Sequence, residues 1–255
     1  MKRTISFLLL LLCGYYLQAQ DEILTLSKLK QKDISHLFSS KTILAEDEDT
    51  IVRPEPLGFI GENYQRFYIH YLTVEKCKTD LLCYHITGKT RVKDNMCDFK
   101  GEIVLDNITH YNTNENEYAD SGFSDAGNIH GHYTFREDET QKGTGVLNGK
   151  VSVHYYLKKG IIYYDAYMLI ADGYSNCQYE GTWTSYKTSK TKTCNWGDYR
   201  IPNSKDLDNG CGEFIPQEKY AKFGWQNYIL LFTIPYDDDY EKNPIYIEEN
   251  REWWK

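Results

Sequence analysis

The sequence predicts a mainly β protein: a meandering antiparallel barrel or strongly coiled sheet, with a short N-terminal helix and a C-terminal extension. Three observations carry that reading. From Tyr64 to about Ile201 the apolar residues recur with period two rather than 3.6, in runs rich in Tyr, Val, Ile and Thr. Five of these runs place a glycine on their apolar register, which coils a sheet. Aromatics make up 15% of the chain, 23 of them tyrosines, so β-propensity and core bulk are both abundant. The alternative arrangement is a two-sheet β-sandwich.

Residues 1–20 join Lys2 and Arg3 to an apolar run from Ile5 to Cys13 and a small-residue exit at Ala19, the pattern of a secretory signal peptide. Residues 21–56 read as one short helix and an exposed connection, with acidic residues at 46–49, stopped by Arg53-Pro54-Glu55-Pro56. Strands are predicted at about 65–76, 82–92, 97–108, 129–137, 145–158, 161–170 and 178–188, with another near 191–201, so that 57–201 is the barrel-like domain. The third sets Phe99, Gly101, Ile103 and Leu105 against Asp98, Lys100 and Glu102. The fifth sets Leu147, Gly149, Val151, Val153 and Tyr155 against Asn148, Lys150, Ser152 and His154. One wet face per strand means an antiparallel sheet rather than a buried parallel one. Residues 202–255 form the C-terminal extension. Within it Pro216–Phe223 reads as a short helix stopped by Gly224, Trp225–Ile234 as a strand, and the acidic remainder as aperiodic.

The glycines sit in Ile86-Thr87-Gly88, Phe99-Lys100-Gly101, Ile129-His130-Gly131, Leu147-Asn148-Gly149 and Tyr179-Glu180-Gly181-Thr182-Trp183. The last piece resembles the glycine-centred hairpins called MORN repeats, but the spacing from glycine to glycine varies, and such arrays need a constant period. A meander with inward glycines closes around a narrow interior, and in outline this looks like the lipocalin and calycin class. That likeness is one of architecture, with no lipocalin sequence motif present.

The formal net charge is -8, and removal of the leader leaves the surface more acidic still. Nucleic acid is therefore not an expected partner, because affinity for phosphates comes from Lys and Arg. After the leader no apolar run reaches the length of a membrane span. Six cysteines remain beyond Cys13, an even number that suits disulfides in an exported chain. Cys77 and Cys83 flank five residues symmetrically, as partners across a hairpin would. For the others, Cys97 with Cys194 and Cys177 with Cys211 are the favoured pairs.

Motifs for chemistry are few. Gly143-x-Gly145-x-x-x-Gly149 runs into a strand rather than opening a helix, so it is no dinucleotide loop. Gly173-Tyr174-Ser175 lacks the geometry of a nucleophile elbow. His130 and His132 share a strand face, and His154 lies on the polar face of the next strand. These three are the candidate metal ligands, against a simpler reading as incidental surface histidines. No cofactor is expected.

These readings lead to an exported binding protein of the periplasm, cell surface or exterior, non-enzymatic, holding a small apolar molecule or a glycan in a barrel mouth. Two alternatives stand beside it. One is a polysaccharide hydrolase using Asp/Glu catalysis. The other is an interaction module built on the acidic, aromatic C-terminus.

Overall fold

A computed structural model describes residues 23–45, 49–113, 118 and 121–255. The leader read at 1–20 lies outside them, as do three residues of the acidic run. Eleven strands dominate the described residues: β1 (Thr42–Leu44), β2 (Thr50–Val52), β3 (Leu57–Ile60), β4 (Gln65–Lys76), β5 (Cys83–Val92), β6 (Asn95–His110), β7 (Asp125–Glu137), β8 (Gly145–Lys158), β9 (Ile161–Tyr164), β10 (Asn176–Ser185) and β11 (Thr191–Asp198). β1 and β2 form a separate hairpin. The other nine make one antiparallel sheet in the order β10-β11-β3-β4-β5-β6-β7-β8-β9. A further pairing of β10 with β8 turns that sheet into a ring of hydrogen bonds, from which β9 projects.

Alternation decides which side chains fill the ring. Phe67, Phe99, Tyr133, Phe135, Tyr179 and Trp196 are all buried in one cluster. Their rings touch in series: Phe99–Phe135 at 5.0 Å between centroids, Tyr133–Trp196 at 5.0 Å and Tyr179–Trp196 at 4.8 Å. The interior is thus filled by aromatic side chains. The register glycines make room for them: a β-carbon on Gly88 would lie 2.6 Å from the Phe99 ring, and one on Gly101 2.9 Å from that of Phe135. Gly149 and Gly181 are direct partners between β8 and β10, where a β-carbon on either would meet the opposite backbone.

Two short helices, α1 (Leu26–Lys30) and α2 (Ser35–Ser39), cover one end of the ring. Leu29, Leu37 and Phe38 join the central core, the Ile34 N–H donates to Tyr84 Oη at 3.1 Å, and the Leu24 N–H donates to Asp125 at 2.8 Å. After β2, Arg53 is tied to β11 by a buried ion pair. Its Nε donates to Asp198 Oδ2 at 2.8 Å, Tyr164 Oη donates to the same oxygen, and Nη1 reaches Leu37 O at 3.0 Å.

The C-terminal extension packs outside β3 and β4. Leu57, Phe59, Ile201, Leu207, Phe214 and Trp225 form a second core there. Glu218–Phe223 is a 3₁₀ turn ended by Gly224 at φ 95°, as the sequence predicts for a short helix with a glycine stop. The expected strand at Trp225–Ile234 is instead α3 (Gln226–Leu231). Its apolar run fits either period, and Trp225, Tyr228 and Ile229 present the i, i+3, i+4 face that packs on the second core. α4 (Pro244–Glu249) follows, with Asn243 capping Ile245 N and Pro244 in its first turn. Its Glu249 pairs with the buried Arg66, while Trp253 lies against Tyr68 and Trp254 stacks on His70 at 3.7 Å. The aromatic end of the chain is therefore folded onto β4. β9 also ends earlier than expected, because buried Asp165 accepts from Tyr118 Oη and from Tyr167 N and turns the chain.

Cys77 and Cys83 are bonded across the β4–β5 hairpin. The expected pairs Cys97–Cys194 and Cys177–Cys211 are not formed: Cys97, Cys177 and Cys194 are buried free thiols and Cys211 is exposed. Two of these thiols face backbone carbonyls instead. The Cys177 thiol donates to Leu37 O at 3.3 Å, and that of Cys97 faces Lys142 O at 3.7 Å.

Candidate functional site

The end of the ring opposite α1 and α2 is open. Turns between β3 and β4, β5 and β6, β7 and β8, and β10 and β11 surround a recess of about 760 Å³ there. Ile60, Phe67 and Val92 give it an apolar floor, and the aromatic stack beneath stops it from running through the ring. Its rim is polar, with Glu62, Asn63, Gln65, Lys93 and Lys192.

One carboxylate organises this mouth. Glu137 ends β7 in the inward register of Tyr133 and Phe135 and is 6% exposed. Its Oε1 accepts from Thr90 Oγ1 at 2.5 Å, and its Oε2 accepts from Gly145 N and from Trp183 Nε1, both at 2.8 Å. Burial raises the pKa of Glu137, and these three bonds oppose the rise. The Trp183 indole is consequently fixed in angle while its ring stays half-buried at the recess, with Lys192 Nζ 5.8 Å from the ring centroid. Cys97 shares the recess, but burial and Glu137 push its thiol up to about 11, so it is a neutral group and no activated nucleophile. Both Glu137 oxygens are committed to protein donors. That suits a positioning role better than general acid catalysis, in which the proton must face the substrate.

The candidate metal ligands do not converge. His132 Nδ1 lies 2.5 Å from Asp106 Oδ2, His130 Nε2 2.9 Å from Thr109 Oγ1, and His154 Nδ1 3.3 Å from Tyr111 Oη. His130 and His132 line a shallow polar groove of about 400 Å³ on the outer sheet face, away from the mouth. Among the described residues the one close group of three metal-ligating side chains is Cys77, Cys83 and His85, and its two sulfurs are joined in the disulfide.

His154 has a different role. Burial and the neighbouring His130 lower its pKa from 6.5 to about 4, so it is neutral in the folded protein and charges first in the unfolded chain. Its stabilising contribution is present above pH 6.5 and is lost as pH falls toward 4. Between pH 7 and pH 4.5 the native protein should lose about 2 to 3 kcal/mol relative to His154→Gln, read from urea midpoints of both proteins. A pH-independent difference between them would show that His154 is solvated.

Glu137 and Thr90 were not among the residues singled out from sequence. The available signal was register: Glu137 continues the inward series Tyr133, Phe135, where a carboxylate is out of place. Comparison with protein-family models, curated proteins and solved structures gives no match to this chain.

Proposed function

We propose that this chain is a non-enzymatic binding protein that holds a glycan at the open mouth of a small closed β-barrel. The observation that carries the reading is the Trp183 indole, locked by buried Glu137 at the side of a polar-rimmed recess. An aromatic face with amide and ammonium groups around it matches the alternating apolar and hydroxyl faces of a sugar ring. The filled interior favours a glycan over a small apolar ligand, since aromatic side chains take up the space below the recess. The Cys77–Cys83 disulfide and the leader-like residues 1–20 support an exported location. Among the described residues no helix is long and apolar enough to cross a membrane.

Isothermal titration of the whole protein against a panel of soluble oligosaccharides tests this. Binding should weaken at least about tenfold in Trp183→Ala, a loss of about 1.4 kcal/mol, and less in Trp183→Phe, which keeps a ring but drops the N–H. Equal affinity of wild type and Trp183→Ala would remove the mouth as the site. Reducing ends released from the panel would turn the reading to the hydrolase.

A further inference from the structure

A second concavity, of about the same volume as the mouth, lies on the outside of the ring, where the C-terminal extension meets β4. We propose that this cleft binds a flat organic cation, independently of the mouth. It encloses about 770 Å³ between the turn at 169–174, the loop at 212–214 and the segment from α3 to Trp253. Tyr174, Tyr199, Phe214, Tyr228 and Trp253 supply ring surfaces to its walls. Its lips are apolar and wet: Ile170 is 86% exposed and Phe232 42%. Large aliphatic and aromatic side chains left in water beside a concavity mark a surface meant to be covered.

The charges select the occupant. Arg66 is matched by Glu249 through two contacts and Arg251 by Glu248 at 2.8 Å, while Glu55 shares a hydrogen bond with His70 Nδ1 at 3.0 Å. That leaves Asp172 and Glu213, both exposed on the lining and without an ion pair among the described residues. Two unmatched carboxylates in a lining shared with aromatic side chains attract a cation and repel an anion. The desolvated ring faces add attraction of their own, because the quadrupole of an aromatic ring favours positive charge. The protein shows this chemistry next door: the Arg66 guanidinium carbon lies 4.6 Å from the ring centroid of Tyr68, 4.9 Å from that of Trp225 and 5.2 Å from that of Tyr228. Tyr68 and Tyr228 also line the cleft, so the same rings border both the internal cation and the open space.

Fluorescence titration of the whole protein with thioflavin T, an aromatic cation, and with anilinonaphthalene sulfonate, an aromatic anion, tests the proposal. Thioflavin T should saturate one site per chain about tenfold more tightly than the sulfonate. Replacing Asp172→Asn and Glu213→Gln together should weaken it about fivefold or more and narrow the gap to the sulfonate, with an unchanged thermal midpoint because both side chains are exposed. Trp183→Ala should leave thioflavin T binding unchanged, which separates this cleft from the mouth. Equal or tighter binding of the sulfonate, insensitivity to the paired substitution, or loss of the site with Trp183→Ala would each overturn the proposal.

Discussion

Replacing Gly149 with valine should lower stability by about 3 kcal/mol or more, with Gly181→Val doing the same, which for a chain of this size is a fall in the thermal midpoint of roughly 6 to 12 °C. A β-carbon on Gly149 would sit 2.1 Å from Glu180 O and 2.6 Å from Gly181 Cα, and one on Gly181 2.2 Å from Asn148 O and 2.4 Å from Tyr133 Oη. The obstructing atoms are mainly backbone, so no rotamer change relieves them and the β8–β10 seam must part. Even alanine should be costly. In an open, flat sheet valine would instead help, since glycine weakens strands and β-branched residues favour them. Calorimetric scans showing an unchanged or raised midpoint for both variants would mean that the two strands do not close on each other.

Removing Asp198 should cost about 3 to 5 kcal/mol, because Asp198→Ala leaves the Arg53 guanidinium buried without its counter-charge. The side chains of the pair are 6% and 1% exposed, so solvent cannot replace the lost partner. Tyr164 Oη would lose its acceptor as well. Much of the loss should return in Arg53→Met with Asp198→Leu, since an apolar pair of similar volume avoids the desolvation penalty. Urea unfolding of the three proteins reads both effects. An Asp198→Ala variant within about 1 kcal/mol of wild type would show the site to be wet.

Most of the sheet is legible in the sequence, because one wet face per strand writes a period of two into the residues. The predicted 65–76 and 145–158 coincide with β4 and β8, and of the inward glycines Gly88 and Gly101 face the rings of Phe99 and Phe135 while Gly131 and Gly149 face the neighbouring backbone. What could not be read depends on contacts far along the chain. β3 has four residues and too little length for a period, and its place between β11 and β4 exists only once the ring is built. The Trp253-Trp254 pair has no local pattern, since its partners His70, Tyr68 and Arg91 lie on β4 and β5. At the mouth, Trp183 is visible in the sequence only as the end of the Tyr179-Glu180-Gly181-Thr182-Trp183 piece, and Glu137 begins an acidic run, Glu137-Asp138-Glu139, that reads as a solvated turn. Only its register separates the buried carboxylate from the exposed ones.

The ring also dictates an order of assembly. From β4 to β8 each strand pairs with the next in sequence, through short loops except for the longer connection from His110 to Asp125, so those ladders form with little entropy to overcome. Joining β3 to β11 sets Ile60 opposite Cys194, across more than 130 residues, whereas β10 returns to β8 from nearby in the chain, Gln178 opposite Ser152. Until then the half-built meander exposes an aromatic concave face and two unpaired strand edges to its neighbours. Slow closure of this kind is typical where contacts are distant in sequence, and it leaves an interval in which the unfinished sheet can pair with another copy before it pairs with itself.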